Sequence, residues 1–381
     1  MPRINVMILN DHIGYGHYIH GAARLFRLWA MYMNPERYSP MVCILREKTE
    51  VSRAFEEQNI GIEFLGKGKF APTTLPALLK VIRRKKINLM HVQAYGGSTF
   101  GRIASLITGV PAIVHFHDTN PYYPLVQRIT DRLLAPVGAR YLAVSSAVRD
   151  FYARRCGLDA GKMDVLYNCY SADEFQPASP DAVSAQRQRL GIPAGYRVVG
   201  TVTRLHEEKG NRYFVEAMPR IFAASPKTAF LIVGDGPLRA DLEKLAAAFG
   251  VGDHVKFTGY TEDVASILGT FDVSVMASIR EGGSPLPVIE AMAMGKPVVV
   301  TDLVEIVEDG VAGFVVPPSD PEALAERVLR LLKDPDEASR MGQRALQAAQ
   351  KFTIQNYMRR LEAIYDEVLA SRRRRGRQRS G

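Results

Sequence analysis

Residues 280–300 read REGGSPLPVIEAMAMGKPVVV. A Gly-Gly-Ser-Pro turn leads into an apolar stretch of good helix formers, Gly295 closes that stretch, and PVVV begins a strand. Ser284 suits an N-cap and Pro285 the first helical position, so a helix is expected over 285–294. A helix that runs straight into a valine-rich strand is half of a doubly wound α/β unit, where parallel strands buried on both faces alternate with covering helices.

The rest of the chain shows that alternation twice. In the first half, strands are expected at 3–10, 41–45, 87–94, 111–117 and 140–146, with helices near 17–33, 50–59 and 98–108. A polar stretch rich in Ala, Ser and Pro follows at 176–196. Beyond it, strands are expected at 197–205, 228–236, 255–260, 271–278, 297–302 and 313–318, with helices near 210–224 and 237–249. The fold class is therefore α/β, with two Rossmann-like, doubly wound parallel-sheet domains facing across a cleft. The chain has 381 residues, 47% of them hydrophobic, enough for two cores. The domains are expected at 1–185 and 186–370, the last helix crossing back to the first, with a disordered arginine-rich tail at 371–381.

No apolar run reaches the roughly 18 residues that span a bilayer, and the N-terminus lacks the apolar core of a signal peptide, so a cytosolic location is expected. Cys43, Cys156 and Cys169 are too few and scattered for a disulfide framework or zinc site and read as small buried residues. The net charge of +9 is unevenly spread: residues 1–181 carry 22 Lys+Arg against 15 Asp+Glu, and the tail carries six arginines and no acid. That distribution points to an anionic partner, either a lipid surface or nucleic acid. Within 73–89, TTLPALLKVIRRKKINL, apolar residues at helical spacing stand beside Lys80, Arg83, Arg84, Lys85 and Lys86. Such a helix can lie on anionic lipid at the inner membrane face or pack its stripe on its own sheet.

Ligands of doubly wound sheets sit beyond the carboxyl ends of the strands, and the loops there carry distinctive residues. At 280–290 a helix N-terminus offers amides and partial positive charge to an anion. Pro285 and Pro287 lack N–H, so the donors are Gly282, Gly283, Ser284, Leu286 and Val288. Carboxylates repel phosphate but accept from hydroxyls, so Glu281 and Glu290 suit sugar and ribose hydroxyls on either side of a diphosphate. VTRLHEEKG (202–210) places Arg204 and Lys209 where two cations can hold that diphosphate as a leaving group; a basic loop paired with Glu207 and Glu208 is the plainer alternative. Gly234 in VGDGPLR permits close approach, and Thr258 to Tyr260 can edge a base.

In that order, Arg-Leu-x-x-Glu-Lys-Gly, Val-Gly-Asp-Gly-Pro, Phe-x-Gly-Tyr and Glu-Gly…Leu-Pro-Val-x-Glu-Ala-Met-Ala-x-Gly-Lys-Pro-Val-Val resemble the retaining nucleotide-sugar glycosyltransferases of family 4, which have the GT-B fold. The resemblance covers residues 190–370 strongly and the first half more loosely. It implies that Arg204 and Lys209 bind the donor diphosphate, Glu290 the ribose, and residues 281–283 the transferred sugar. Eight residues separate Glu281 from Glu290, one more than the family usual, so counting back from Glu290 lands on Gly282. In NDHIGYGHYIHG, Gly14 and Gly16 resemble the family's glycine loop; as a dinucleotide fingerprint it fails at Ile19. In PAIVHFHD, His117 matches the family's histidine near the reacting carbon, with His115 on the same strand face. VLYNCYSADEFQP (165–177) resembles the family's Asn-Gly-Val-Asp turn, with Cys169 in place of glycine, and reads as structural.

No metal or cofactor is called for: the Asp-x-Asp of KDPDEAS (333–339) reads as a helix cap. The expected partners are a nucleoside diphosphate sugar as co-substrate, a lipid-linked, saccharide or other hydroxyl acceptor, and an anionic membrane surface. A nucleotide-sugar epimerase of the same architecture is the alternative, and a non-catalytic nucleic-acid-binding protein a third reading, which explains the arginines but not the ordered motifs.

Overall fold

The computed structural model describes residues 3–15, 18–68, 70–119 and 124–379. They form two units: one runs through Tyr167 and regains the segment from Ile354 onward, the other is Asn168–Thr353.

The first unit comprises β1 (Ile4–Asn10), a hairpin of β2 (Gly14–Tyr15) and β3 (Tyr18–Ile19), α1 (Gly21–Tyr32), β4 (Tyr38–Ile44), α2 (Arg53–Glu56), β5 (Ile62–Phe64) and α3 (Thr74–Arg84). It continues through β6 (Leu89–Gln93), α4 (Tyr95–Thr108), β7 (Ala112–Phe116), α5 (Leu125–Leu133), β8 (Arg140–Ala143), α6 (Ser146–Cys156) and β9 (Met163–Val165). The second unit holds α7 (Pro180–Arg189), β10 (Arg197–Val202), α8 (Asn211–Ala224), β11 (Thr228–Val233), α9 (Arg239–Ala248), β12 (Val255–Gly259), α10 (Val264–Gly269) and β13 (Val273–Met276). Then come α11 (Leu286–Ala293), β14 (Val298–Thr301), β15 (Gly313–Val316), α12 (Pro321–Lys333) and α13 (Pro335–Ala349); α14 (Ile354–Arg379) belongs to the first unit.

Both main sheets are parallel throughout. The first runs β5-β4-β1-β6-β7-β8-β9 and the second β12-β11-β10-β13-β14-β15. Their central strands, such as LMHVQ and VVVT, are buried at every position, as a sheet covered on both faces requires. In the second sheet Gly200 leaves room for the Phe271 ring, which a Cβ would approach to 2.2 Å. In each sheet the chain first builds away from one central strand and then returns to its other side, between β1 and β6 and between β10 and β13.

Two expectations change and one open alternative is decided. The boundary expected after residue 185 lies at Tyr167/Asn168, because the polar stretch read as a linker is anchored in the second unit. Arg187 on α7 donates to the Thr270 carbonyl (2.7 Å) and pairs with Asp272 (2.7 Å). The apolar stripe of α3 is spent on packing: Leu78, Val81 and Ile82 lie in the first core, so that helix has no apolar face left for lipid. The tail expected to be disordered continues α14 as helix to Arg379. That helix is tied down by Arg37–Asp366 (2.6 Å), Tyr38 Oη to Asp366 (2.8 Å) and the Asn34 amide to Glu362 (2.8 Å). The three cysteines are buried and free, and Asp334 caps α13 by accepting from the Glu337 amide (2.8 Å). Among the described residues no helix is long and apolar enough to cross a membrane.

Candidate active site

Where a parallel sheet reverses its order, the loops leaving the two central strands part and leave a crevice, the usual ligand position. In the second unit these are the loops after β10 and β13. The Glu208 carbonyl, after β10, accepts from the amides of Ile279 (3.0 Å) and Arg280 (3.2 Å), after β13. Gly210 has φ 60°, and a Cβ there would stand 1.9 Å from the Ala277 carbonyl oxygen, so only glycine lets the loops lie together.

This contact brings Lys209 and Glu281 into an ion pair, with side chains 17% and 8% exposed. The Glu281 carboxylate also accepts from Ser278 Oγ (3.3 Å) and the Gly282 amide (3.1 Å). Arg204 stands more open, half exposed, and donates to Glu208 (3.0 Å); Arg280 approaches the other Glu208 oxygen at 3.9 Å. Burial pushes the Glu208 carboxyl up, but its own amide and the charges of Arg204, His206 and Lys209 hold it below the ordinary value. The plainer reading of the basic loop thus applies to Arg204, whereas Lys209 turns to Glu281. An ion pair as open as Arg204–Glu208 contributes only about 0–1 kcal/mol, so an anion arriving at Arg204 would displace Glu208 at small cost.

The turn before α11 differs from its expected form. The helix starts at Leu286, Pro285 takes the cap position at φ −66° and ψ 133°, and Ser284 is not the N-cap. Its Oγ instead accepts from the Asn168 amide (3.2 Å), and its carbonyl accepts from Asn168 Nδ2 (2.7 Å). Gly283 has φ 85°, and its carbonyl accepts from the Glu305 amide (2.8 Å). The Val288 amide, expected as a ligand donor, donates to the Pro285 carbonyl (3.2 Å), and that of Gly282 is turned to Glu281. Glu290 is 1% exposed, one turn inside α11.

The remaining strand-end residues line up beside this crevice. Gly234, at φ 128°, would put a Cβ 2.0 Å from the Thr203 carbonyl oxygen, and its amide donates to the Gly259 carbonyl (2.9 Å). Its glycine therefore first serves the stacking of adjacent strand ends. Thr258 Oγ1 donates to the Gly259 carbonyl (3.1 Å), and the Tyr260 ring is 40% exposed. Asn211, 2% exposed, had no signal in the sequence; its Nδ2 donates to the Arg204 carbonyl (3.1 Å) and fixes the loop that carries the arginine.

In the first unit His117 follows β7, its ring 4.3 Å from that of His115. His115 stacks on Trp29 (5.6 Å) and faces His91 Nε2 through Nδ1 (3.2 Å); His91 Nδ1 in turn meets Tyr365 Oη (2.7 Å). Burial, with a smaller contribution from His20, pushes His117 down to about 3, so it stands neutral near pH 7, able to donate or accept a hydrogen bond. Gly14 lies in the hairpin after β1, where a Cβ would stand 2.0 Å from the Tyr18 carbonyl oxygen; Gly16 falls outside the described residues. Two residues that sequence reasoning missed shape this end. Asp11 accepts from the amides of Gly96 (3.0 Å) and Gly97 (2.6 Å), filling the N-terminus of α4 from within the chain. His20 caps α1 by accepting from the Ala23 amide (3.1 Å).

Two family models match the chain: "Glycosyltransferase Family 4" over residues 19–174 and "Glycosyl transferases group 1" over 196–334. It is 32% identical over 297 residues to an alpha-D-kanosaminyltransferase of Streptomyces kanamyceticus, covering 73% of this chain and 76% of that one. A 2-deoxystreptamine glucosyltransferase of the same organism is 31% identical over 283 residues, covering 68% and 72%. Among solved structures, Anabaena HepE in complex with UDP-glucose superposes with a TM-score of 0.83 at 23% identity, over 96% of this chain and all of that one.

Proposed function

The chain belongs to the group 1 glycosyltransferases of family 4, and on that footing we propose that it moves a sugar from a nucleoside diphosphate sugar to a hydroxyl acceptor with retention at the anomeric carbon. As an enzyme it is a glycosyltransferase of class EC 2.4. One observation carries the donor assignment: Arg204, Lys209 and the glycine turn before α11 converge on the reversal point of the second sheet. The kanosaminyl and glucosyl transferases among the relatives favour a pyranose as the transferred group. UDP-glucose, bound in the HepE complex, is the first donor to test.

The diphosphate is proposed to lie against Arg204 and Lys209, with ribose hydroxyls at Glu290, sugar hydroxyls at Glu281 to Gly283, and the base beside Thr258 and Tyr260. As the glycosidic bond breaks, negative charge grows on the departing diphosphate, and the two cations receive it. His117, neutral, is proposed to hydrogen-bond the transferred sugar, and Gly14 and Gly16 to form the loop beside it. The attacking hydroxyl enters on the face the diphosphate leaves, which yields retention without a covalent sugar-enzyme ester. The acceptor is proposed to be lipid-linked, a saccharide or another alcohol, and the protein to work on the cytosolic side, peripheral to the inner membrane face.

Arg204 and Lys209 give the leaving group the charge compensation that a divalent ion supplies in other transferases. Transfer is therefore expected to persist in EDTA. Incubating UDP-, GDP- and ADP-sugars with and without saccharide and lipid-linked acceptors tests the whole reading. Sugar appearing on an acceptor with its anomeric configuration kept supports it. Conversion of the donor with no acceptor present contradicts it and indicates epimerisation.

A further inference from the structure

Helix α5 is oriented with its acidic residue inward and its apolar residues outward. Its inward residue is Asp131, 2% exposed, whose carboxylate pairs with the fully buried Arg102 of α4. Arg102 is held in turn by the Ser98 carbonyl (3.0 Å) and the Asp131 carbonyl (3.4 Å). Rotating α5 would strand a buried guanidinium without its carboxylate, so this pair fixes which way the helix faces. Leu125, Val126, Ile129 and Leu133 then occupy an arc of about 100° on the other side. They are 61%, 71%, 50% and 73% exposed. Apolar side chains clustered in this way on a surface mark an interaction site.

Cations border the arc. Arg128 and Arg132 follow its edge and are exposed. A Cβ on Gly157 would stand 3.8 Å from Arg132 Nε, which sets that guanidinium at the C-terminal end of α6, the helix whose last turn carries the exposed Arg154 and Arg155. A second copy of the chain would bring the same arginines to the contact and be repelled. An anionic surface with an apolar interior is complementary in both respects.

We propose that this face of α5 docks on an anionic phospholipid bilayer, its four apolar side chains entering the acyl boundary while Arg128, Arg132, Arg154 and Arg155 meet lipid phosphates. This rests on the peripheral location proposed above, not on the donor chemistry, and it assigns the contact to α5 in place of α3.

Co-sedimentation of the full chain with phosphatidylglycerol/phosphatidylcholine vesicles and with phosphatidylcholine alone tests it. The wild type is expected to bind the anionic vesicles, less so at high salt. Ile129→Ser with Leu133→Ser should weaken that binding by more than about tenfold, and Arg128→Ser with Arg132→Ser should remove the preference for phosphatidylglycerol. Both side chains of the first pair are exposed, so its melting temperature and its stabilisation by UDP should stay as in the wild type. The only native tryptophan, Trp29, is buried; an Ile129→Trp variant therefore reports the helix, and its emission should shift to the blue with anionic vesicles. Equal binding by wild type and the Ile129/Leu133 double variant, or no blue shift, would overturn the assignment to α5 and leave the peripheral location standing. No binding by the wild type would overturn both. A wild-type dimer that becomes monomeric in the double variant would show the face to be a self-association surface and would also overturn the proposal.

Discussion

Lys209 and Glu281 hold each other in the described structure, and this pairing has a consequence for binding. A carboxylate beside the ammonium competes with any phosphate for the same protons. In Glu281→Gln the ammonium loses its competitor but keeps a polar neighbour. Nucleoside diphosphate should then bind as tightly as to the wild type or more tightly, while kcat falls by about 10- to 100-fold because the contact proposed for the sugar's transition state is lost. Calorimetry with UDP and an initial-rate assay measure the two effects; weaker UDP binding would place Glu281 on the diphosphate side. The residues proposed to meet the donor stand out in the sequence because charge and hydroxyl acceptors are rare at strand ends. Asn168, Asn211 and Asp11 do not, since a side chain that serves a backbone carbonyl or amide looks like any polar residue until the chain is folded. Ser284 was misassigned for a related reason: its hydroxyl has two possible partners, and Asn168 is far away in sequence.

At the scale of elements, strands with continuous apolar runs were readable because burial on both faces leaves no other composition. The three-residue edge strands β5 and β9 were missed, being too short to carry a pattern. α5 was missed for the opposite reason: its apolar residues face solvent and its acid faces inward, so it carries no inward apolar stripe. α7 has no buried residue at all and is held by Arg187 through Thr270 and Asp272, which is why it read as a linker. Replacing Arg187 by methionine should cost about 1–3 kcal/mol in chemical denaturation, with KM for the donor unchanged. A change in KM without loss of stability would contradict the view that this contact anchors α7.

For the molecule as a whole, the two reversal points are treated differently. In the first unit the helix N-terminus there is occupied by the protein's own Asp11, and in the second the crevice is lined by Arg204 and Lys209. This difference supports the proposed placement of the diphosphate in the second unit. The first unit also carries buried neutral histidines: burial, with a smaller contribution from His117, pushes His91 down to about 3 and His115 well below its usual value. Unfolded, both titrate near the ordinary histidine value of about 6.5, so between that pH and about 3 the unfolded state binds more protons. Stability present above about pH 6.5 should thus fall as the pH is lowered, by up to about 1.4 kcal/mol per pH unit for each of the two. Denaturant titrations of the wild type and of His91→Gln from pH 7 to pH 5 check this; the variant should show a shallower pH slope, and identical slopes would contradict it.

The most direct test of the donor assignment is the affinity of UDP for the wild type, Arg204→Met and Lys209→Met by titration calorimetry, each variant first shown to melt as the wild type does. The proposed contacts predict that Lys209→Met weakens binding by at least about tenfold, the size expected for a lost charge-assisted hydrogen bond, and that Arg204→Met weakens it as well. Unchanged affinity in both variants would contradict the placement of the diphosphate at this crevice.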